Sequence, residues 1–323
     1  MKNEKKRWSA KRLLLLCLTL AVIGGLALAA LLQREALPAA EETTEPLTGS
    51  DDGLAVVIPA EPPEPGGIPH YEPSMQGDEG WVTADGKLFY LQGGGAVTGL
   101  RLIDGKYCFF DRSGVKAESV GVDVSTYNEN IDWNRVREQG IGFAILRTGG
   151  RGWTSGSIYD DVRFERYLRD ATDAGIRVGV YFYSTALNEQ EAAAEAKAVL
   201  QALQGRALDL PVYYDVELSG EFPKGRADRL RSGERTQNAL AFCRVIESAG
   251  YRAGVYAGQY FFLDSINFQP LSRYEIWMAS YTNDGLPPIS ARGYRIWQFT
   301  DRGNVDGISG GVDMNVMFSE IVG

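Results

Sequence analysis

From Val120 onward the chain predicts an α/β fold, an irregular eight-stranded parallel β/α barrel of the TIM-like kind. Three observations predict it. Eight short apolar or aromatic runs follow one another: Val120–Thr126, Phe143–Thr148, Arg177–Ser184, Pro211–Glu217, Arg252–Ala257, Tyr274–Tyr281, Tyr294–Thr300 and Val312–Met317. Helical periodicity separates the early runs, and few helices follow the last strands. No glycine-rich dinucleotide turn follows the first run, which counts against an open, doubly wound sheet.

The elements can be justified in order. Residues 1–12 form a basic tail, and Leu13 to Leu32 runs twenty residues without a charge. That is the length of a transmembrane helix, and the basic flank predicts a cytoplasmic N-terminus with the body outside. Ala27-Leu28-Ala29 resembles a small-x-small signal cleavage site, which would give a secreted protein, but the length of the apolar run favours an uncleaved anchor. Residues 33–79, rich in Pro, Glu, Gly and Thr, are expected to be a disordered linker. Within 80–118 a weak repeat appears: Asp85-Gly86-Lys87-Leu88-Phe89-Tyr90 recurs as Asp104-Gly105-Lys106-Tyr107-Cys108-Phe109. Each copy predicts a β-hairpin with a DG turn. Residues 119–323 make the barrel. Its helical stretches are Asp132–Gln139, Tyr159–Ala174, Asn188–Leu203, Thr236–Ala249 and Gln259–Ser265. Asn188 with Glu191 three residues on is a helix start, and Gly175 and Gly250 stand where helices stop.

Composition removes several chemistries. The only histidine is His70, in a Pro/Gly/Glu-rich stretch, so Ser-His-Asp, Cys-His and HExxH mechanisms are not expected. Cys17, Cys108 and Cys243 are far apart and form no CxxC pair, so neither zinc nor a disulfide framework is signalled. No cofactor is expected. The net charge is −9, divided as +6 over residues 1–34 and −15 over the rest. An acidic body argues against nucleic acid as a partner. The expected oligomeric state is a monomer.

The sharpest local feature is Tyr213-Tyr214-Asp215-Val216-Glu217. A strand turns residues i and i+2 to one face, so Asp215 and Glu217 are held together, roughly 6–7 Å apart along the backbone. Like charges on one face suit chemistry that needs one protonated and one ionised carboxyl. In a barrel, working residues sit at the C-terminal strand ends. Those ends offer Asp123, Arg147, Tyr181, Tyr183, Asp215, Glu217, Tyr256, Trp277, Tyr281, Trp297, Gln298 and Asp313. Carboxyls amid aromatic rings are the apparatus for breaking a glycosidic bond. The acids lack histidine and calcium-loop spacing, so a metal site is not expected.

Residues 120–318 resemble glycoside hydrolase family 25, the lysozymes that cleave between N-acetylmuramic acid and N-acetylglucosamine. The matching stretches include Gly121-Val122-Asp123-Val124-Ser125, Ile131-Asp132-Trp133, Gly179 to Ser184, Pro211 to Glu217, Ile276 to Tyr281, Trp297-Gln298-Phe299-Thr300 and Val312-Asp313-Met314-Asn315. Two positions depart from the pattern. Val216 replaces a frequent tryptophan, and Arg147-Thr148-Gly149-Gly150 lacks the acid often seen after that strand. The resemblance implies a muramidase acting on peptidoglycan, with Glu217 as proton donor. Asp215 would raise the Glu217 pKa or orient the substrate's acetamido group, and Asp123 and Asp313 would position substrate. Arg147, Tyr181, Tyr183, Tyr256, Trp277, Tyr281, Trp297 and Gln298 would contact it. A silent wall-binding module and a glycosidase for another N-acetylated glycan are the alternatives. The 80–118 repeats are similar to cell-wall-binding (choline-binding-like) repeats, although Leu100 stands where a tryptophan usually follows the glycine. Together these features imply a membrane-tethered hydrolase on the extracellular side of a Gram-positive bacterium.

Overall fold

The computed structural model describes residues 79–289 and 293–322. The expected 1–12 tail, the 13–32 anchor and the linker as far as residue 78 lie outside the described residues. Among the described residues no helix is long and apolar enough to cross a membrane.

The first elements are strands β1 (Gly80–Ala84), β2 (Lys87–Gln92), β3 (Gly95–Ala96), β4 (Gly99–Ile103) and β5 (Lys106–Phe110). β1 pairs with β2, and β4 with β5, each antiparallel across a two-residue turn. Asp85-Gly86 and Asp104-Gly105 both take positive φ, as this tight turn requires. The two units are nevertheless not equivalent copies of a repeat. The first adds β3 to make a three-stranded sheet, whereas the second is a two-stranded ribbon whose Phe109 is buried within the main core.

The barrel follows: β6 (Ser119–Val124), helix α1 (Trp133–Glu138), β7 (Ile141–Arg151), β8 (Ile158–Asp160), α2 (Phe164–Asp173), β9 (Arg177–Ser184), α3 (Glu189–Leu203), β10 (Val212–Val216), α4 (Ser232–Ser248), β11 (Ala253–Gly258), α5 (Gln259–Asp264), β12 (Glu275–Ala279), β13 (Tyr294–Gly303) and β14 (Val312–Val322). The closed order is β6-β7-β9-β10-β11-β12-β13-β14, with β14 returning to β6. β8 is a short extra strand, antiparallel to β7. The Asn188 side chain caps α3 by accepting the Glu191 N–H at 3.0 Å, and Gly175 and Gly250 end α2 and α4 with positive φ.

Two expectations are corrected. The barrel is mixed, not parallel: β14 runs antiparallel to both β13 and β6. The segment between Gly303 and Val312 is too short for a parallel crossover, which needs a dozen residues or more. The helix expected over Tyr159–Ala174 begins only at Phe164, because Tyr159 belongs to β8.

Two apolar layers hold the barrel. Inside it Phe143, Ile145, Tyr213, Trp277, Ile296 and Met317 form a plug. Outside, the opposite faces of the strands meet the helices. No helix among the described residues follows β13, and the β4–β5 ribbon covers that face instead. Phe109 packs edge-on against Trp297 (centroids 5.7 Å apart) and lies 6.0 Å from the Phe299 ring. Tyr107 Oη donates to the Asn304 carbonyl at 2.7 Å. Buried aromatic contacts of this kind do for β13 and β14 what α2, α3 and α4 do for the earlier strands.

Candidate active site

Asp123 and Asp313 face each other across the β6–β14 pairing. Because β14 is reversed, Asp313 reaches the mouth from the start of its strand, not from its end. Asp123 is 5% exposed. Its Oδ1 accepts from Gln298 Nε2 at 2.9 Å and Asn315 Nδ2 at 2.8 Å. Burial, then the neighbouring Asp313, pushes the Asp123 pKa well above the ordinary value. Asp313 is raised to about 6, chiefly by desolvation.

Asp215 lies near the end of β10, and Glu217 follows directly after that strand. Asp215 is 3% exposed, and its Oδ1 has no hydrogen-bond partner. Burial first, then the charge of Glu217 and the hydrogen bond between the two carboxyls, drives Asp215 well above the carboxylate range. Glu217 reaches solvent at the mouth, yet the recess strips enough water from its carboxyl to raise it, with Asp313 adding to the effect. Burial is the first cause in both, so the pair as a whole holds a proton more readily than free carboxyls do.

Gln298 joins the aromatic wall to the acids. Its Oε1 accepts from Tyr256 Oη and Tyr281 Oη, both at 2.9 Å, while Nε2 holds Asp123. Tyr281 is 53% exposed and presents its ring to the mouth. Tyr181 and Tyr183 are half-buried on β9. Burial, then the charge of Asp123 for Tyr181 and of Asp215 for Tyr183, raises both phenols. Two predicted contacts stand elsewhere. Trp277 points inward but one layer too deep, packed on Tyr256 at 4.3 Å and donating to Asn315 Oδ1 at 2.8 Å. Trp297 alternates to the outer face, fully buried, with its indole N–H on the Ser280 carbonyl at 2.7 Å. Neither offers a free face to a sugar.

Arg147, on β7, has an unpredicted partner. Its Nε donates to Asp161 Oδ2 at 2.8 Å, and its guanidinium lies 5.0 Å from the centroid of the exposed Tyr127 ring. Asp161 also accepts the Thr126 and Arg163 N–H groups, so one buried carboxylate ties three segments together. The acid missing after the strand is thus supplied from beyond β8. Gly149 and Gly150 make that possible, since a Cβ there would lie 2.2 Å from the Tyr159 carbonyl and 2.5 Å from its hydroxyl. The local signal for Asp161 was an aspartate just before a helix start.

Beside Glu217 opens a cavity of about 940 Å³, lined among others by Tyr256, Gln259, Tyr260, Tyr281 and Asp284. Among the described residues no group of three or more His, Cys, Asp or Glu is placed to hold a metal ion. The site is therefore an open cleft with two neighbouring carboxyl pairs on its floor, Asp123 with Asp313 and Asp215 with Glu217, beside a wall of tyrosines.

A family model described as glycosyl hydrolases family 25 matches residues 122–308. The chain belongs to that family. A curated relative, the uncharacterized protein YegX of Escherichia coli K12, is 31% identical over 207 residues, covering 61% of this chain and 68% of its own. An autolytic lysozyme of Clostridium acetobutylicum is 28% identical, with 62% of this chain and 56% of its own covered. The fold is that of the modular autolysin LytC from Streptococcus pneumoniae, with a TM-score of 0.58, 24% identity and 74% of this chain covered. This chain spans 58% of the length of LytC. The matched range takes in Asp123, Asp215 and Glu217 and ends before Asp313.

Proposed function

We propose that this family 25 domain is a lysozyme that cleaves the β-1,4 bond between N-acetylmuramic acid and N-acetylglucosamine in peptidoglycan. The observation that carries the proposal is the Asp215–Glu217 pair, two neighbouring carboxyls at the mouth of the cleft, each held above its ordinary range first by burial. Glu217, the more accessible, protonates the leaving oxygen. Asp215 has an unpartnered oxygen, which an acetamido N–H of the substrate would satisfy. As that contact forms, the ionised state of Asp215 gains a donor, which leaves the proton of the pair on Glu217.

The unpartnered oxygen of Asp215 also bears on the route. An inverting enzyme leaves about 6.5–9.5 Å between its carboxyls for a water. An Asp215 oxygen left free for the acetamido group favours instead attack by the substrate's own acetamido carbonyl, with Asp215 orienting it. Arg147, Tyr181, Tyr183, Tyr256, Tyr281 and Gln298 line or brace the same mouth and are proposed to position the glycan, together with Asp123 and Asp313. The domain is proposed to work as a monomer outside the cell, held at the membrane of a Gram-positive bacterium by residues 13–32.

Mass spectrometry of peptidoglycan digested with the full chain tests the reading. Muropeptides with a reducing muramic acid end are expected from the wild type and none from Glu217→Gln. Reducing N-acetylglucosamine ends, or undiminished release by Glu217→Gln, would overturn it.

A further inference from the structure

The cavity beside Glu217 has one wall residue from outside the matched family domain. Arg112, in the segment between β5 and β6, lines the same cavity as Glu217 and Tyr281. Its Nε donates to the Pro287 carbonyl at 2.9 Å, and its Nη2 to Asp284 Oδ2 at 2.8 Å. Asp284 also accepts the Leu286 N–H at 3.1 Å, and Thr282 Oγ1 donates to the Leu286 carbonyl at 2.8 Å. The Leu286 N–H, then Arg112, holds the Asp284 carboxyl below its ordinary range. The loop is touched again at Gly99 of β4, where a Cβ would sit 3.7 Å from the Gly285 carbonyl oxygen and from Leu286 Cδ2. Two points of the upstream ribbon therefore clamp the 282–287 loop. Tyr281 leads into that loop, and through Gln298 it is linked to Asp123.

The ion pair is a poor device for stability, because its side chains are 36% and 49% exposed and such pairs contribute little. It is a good device for shape. A planar guanidinium can bridge a carboxylate and a main-chain carbonyl at once, which a lysine ammonium does less well.

We propose that the 99–117 segment is part of the substrate cleft, with Arg112 the positioning residue that fixes the 281–287 wall against the glycan polymer. The inference rests on the lysozyme reading and extends it: a segment upstream of the family domain helps to set affinity for long wall strands.

Full-chain wild type, Arg112→Ala, Arg112→Lys and Asp284→Asn are compared on polymeric peptidoglycan. Arg112→Ala is expected to raise KM about five-fold with kcat within about two-fold. Asp284→Asn, a change at a half-exposed site, should move KM the same way, and Arg112→Lys should recover part of the loss. An unchanged KM in Arg112→Ala, or a fall in kcat that tracks a lower melting temperature, overturns the proposal. Retention on insoluble peptidoglycan in a Glu217→Gln background reads the same contact without turnover. Adding Arg112→Ala should weaken retention, and equal retention counts against the proposal. A wild type that retains peptidoglycan but releases nothing would defeat the lysozyme reading alone.

Discussion

Glu195 and Asp215 are both buried acids, and their surroundings are opposite. Glu195, on α3, is fully buried. It accepts from Arg151 Nε at 2.6 Å and Ser184 Oγ at 2.5 Å. Desolvation still outweighs those donors and pushes it up to about 7. Asp215, on β10, has one oxygen without a partner and another acid as its neighbour. The acid that ties α3 to the barrel is given a cation and a hydroxyl. The acid at the mouth is left short of donors, so that its protonation stays free to change when a ligand arrives. Burial alone does not mark a working group. Burial beside a like charge, with a vacant acceptor, does.

Substitutions can break or sharpen this contrast. The largest effect is expected for Glu217→Gln, which should lower turnover about 10²–10⁴-fold, the range for losing a general acid, with little change in melting temperature. A similar loss of turnover in folded Glu195→Gln would erase the distinction. Next is Glu195→Ala, which takes from Arg151 its hydrogen-bonded carboxylate and leaves it only Glu191, 4.0 Å away. Breaking a buried pair costs about 3–5 kcal/mol, so the melting temperature should fall by roughly 6–20 °C at about 2–4 °C per kcal/mol. Activity per folded molecule should persist, as chemical denaturation combined with an assay would show. Asp215→Asn should go the other way and gain up to about 1 kcal/mol of stability while turnover collapses, since it removes a carboxyl that burial makes costly to ionise. A lower melting temperature for Asp215→Asn would mean that the fold depends on that carboxyl.

The smallest effect concerns pH. Asp313 titrates at about 6 in the folded chain, against about 3.9 when unfolded. The folded state therefore holds this proton to higher pH, and stability from it falls as pH rises from about 4 to about 6. Melting curves across that window should show a shallower decline for Asp313→Asn than for the wild type. An identical slope would place the titration elsewhere in the acid cluster.

Much of this was readable in one dimension. The strands fall where alternating apolar runs stood, and Asp123, Asp215, Glu217 and Asp313 meet at one mouth. The direction of β14 was not readable from its residues, because a strand pattern reads the same in both directions. Only the short link after Gly303 carried that information. Trp297 looked like a sugar platform by its place near a strand end, but the pleat turns it outward, against Phe109. Asp161 and Arg112 escaped notice because each acts on a group supplied by another element. For Arg112 the partner Asp284 lies 172 residues away.

Residue types and their spacing settled the order of the main elements and the i, i+2 acid pair. These follow from rules that act over a few residues: strand period, capping, turn chemistry and composition. How far the acids are desolvated, which aromatic faces the cleft and which upstream arginine lines its wall depended on the closed barrel. Desolvation and Coulomb interactions are set by distance in space, and the chain brings those groups near one another only when it folds.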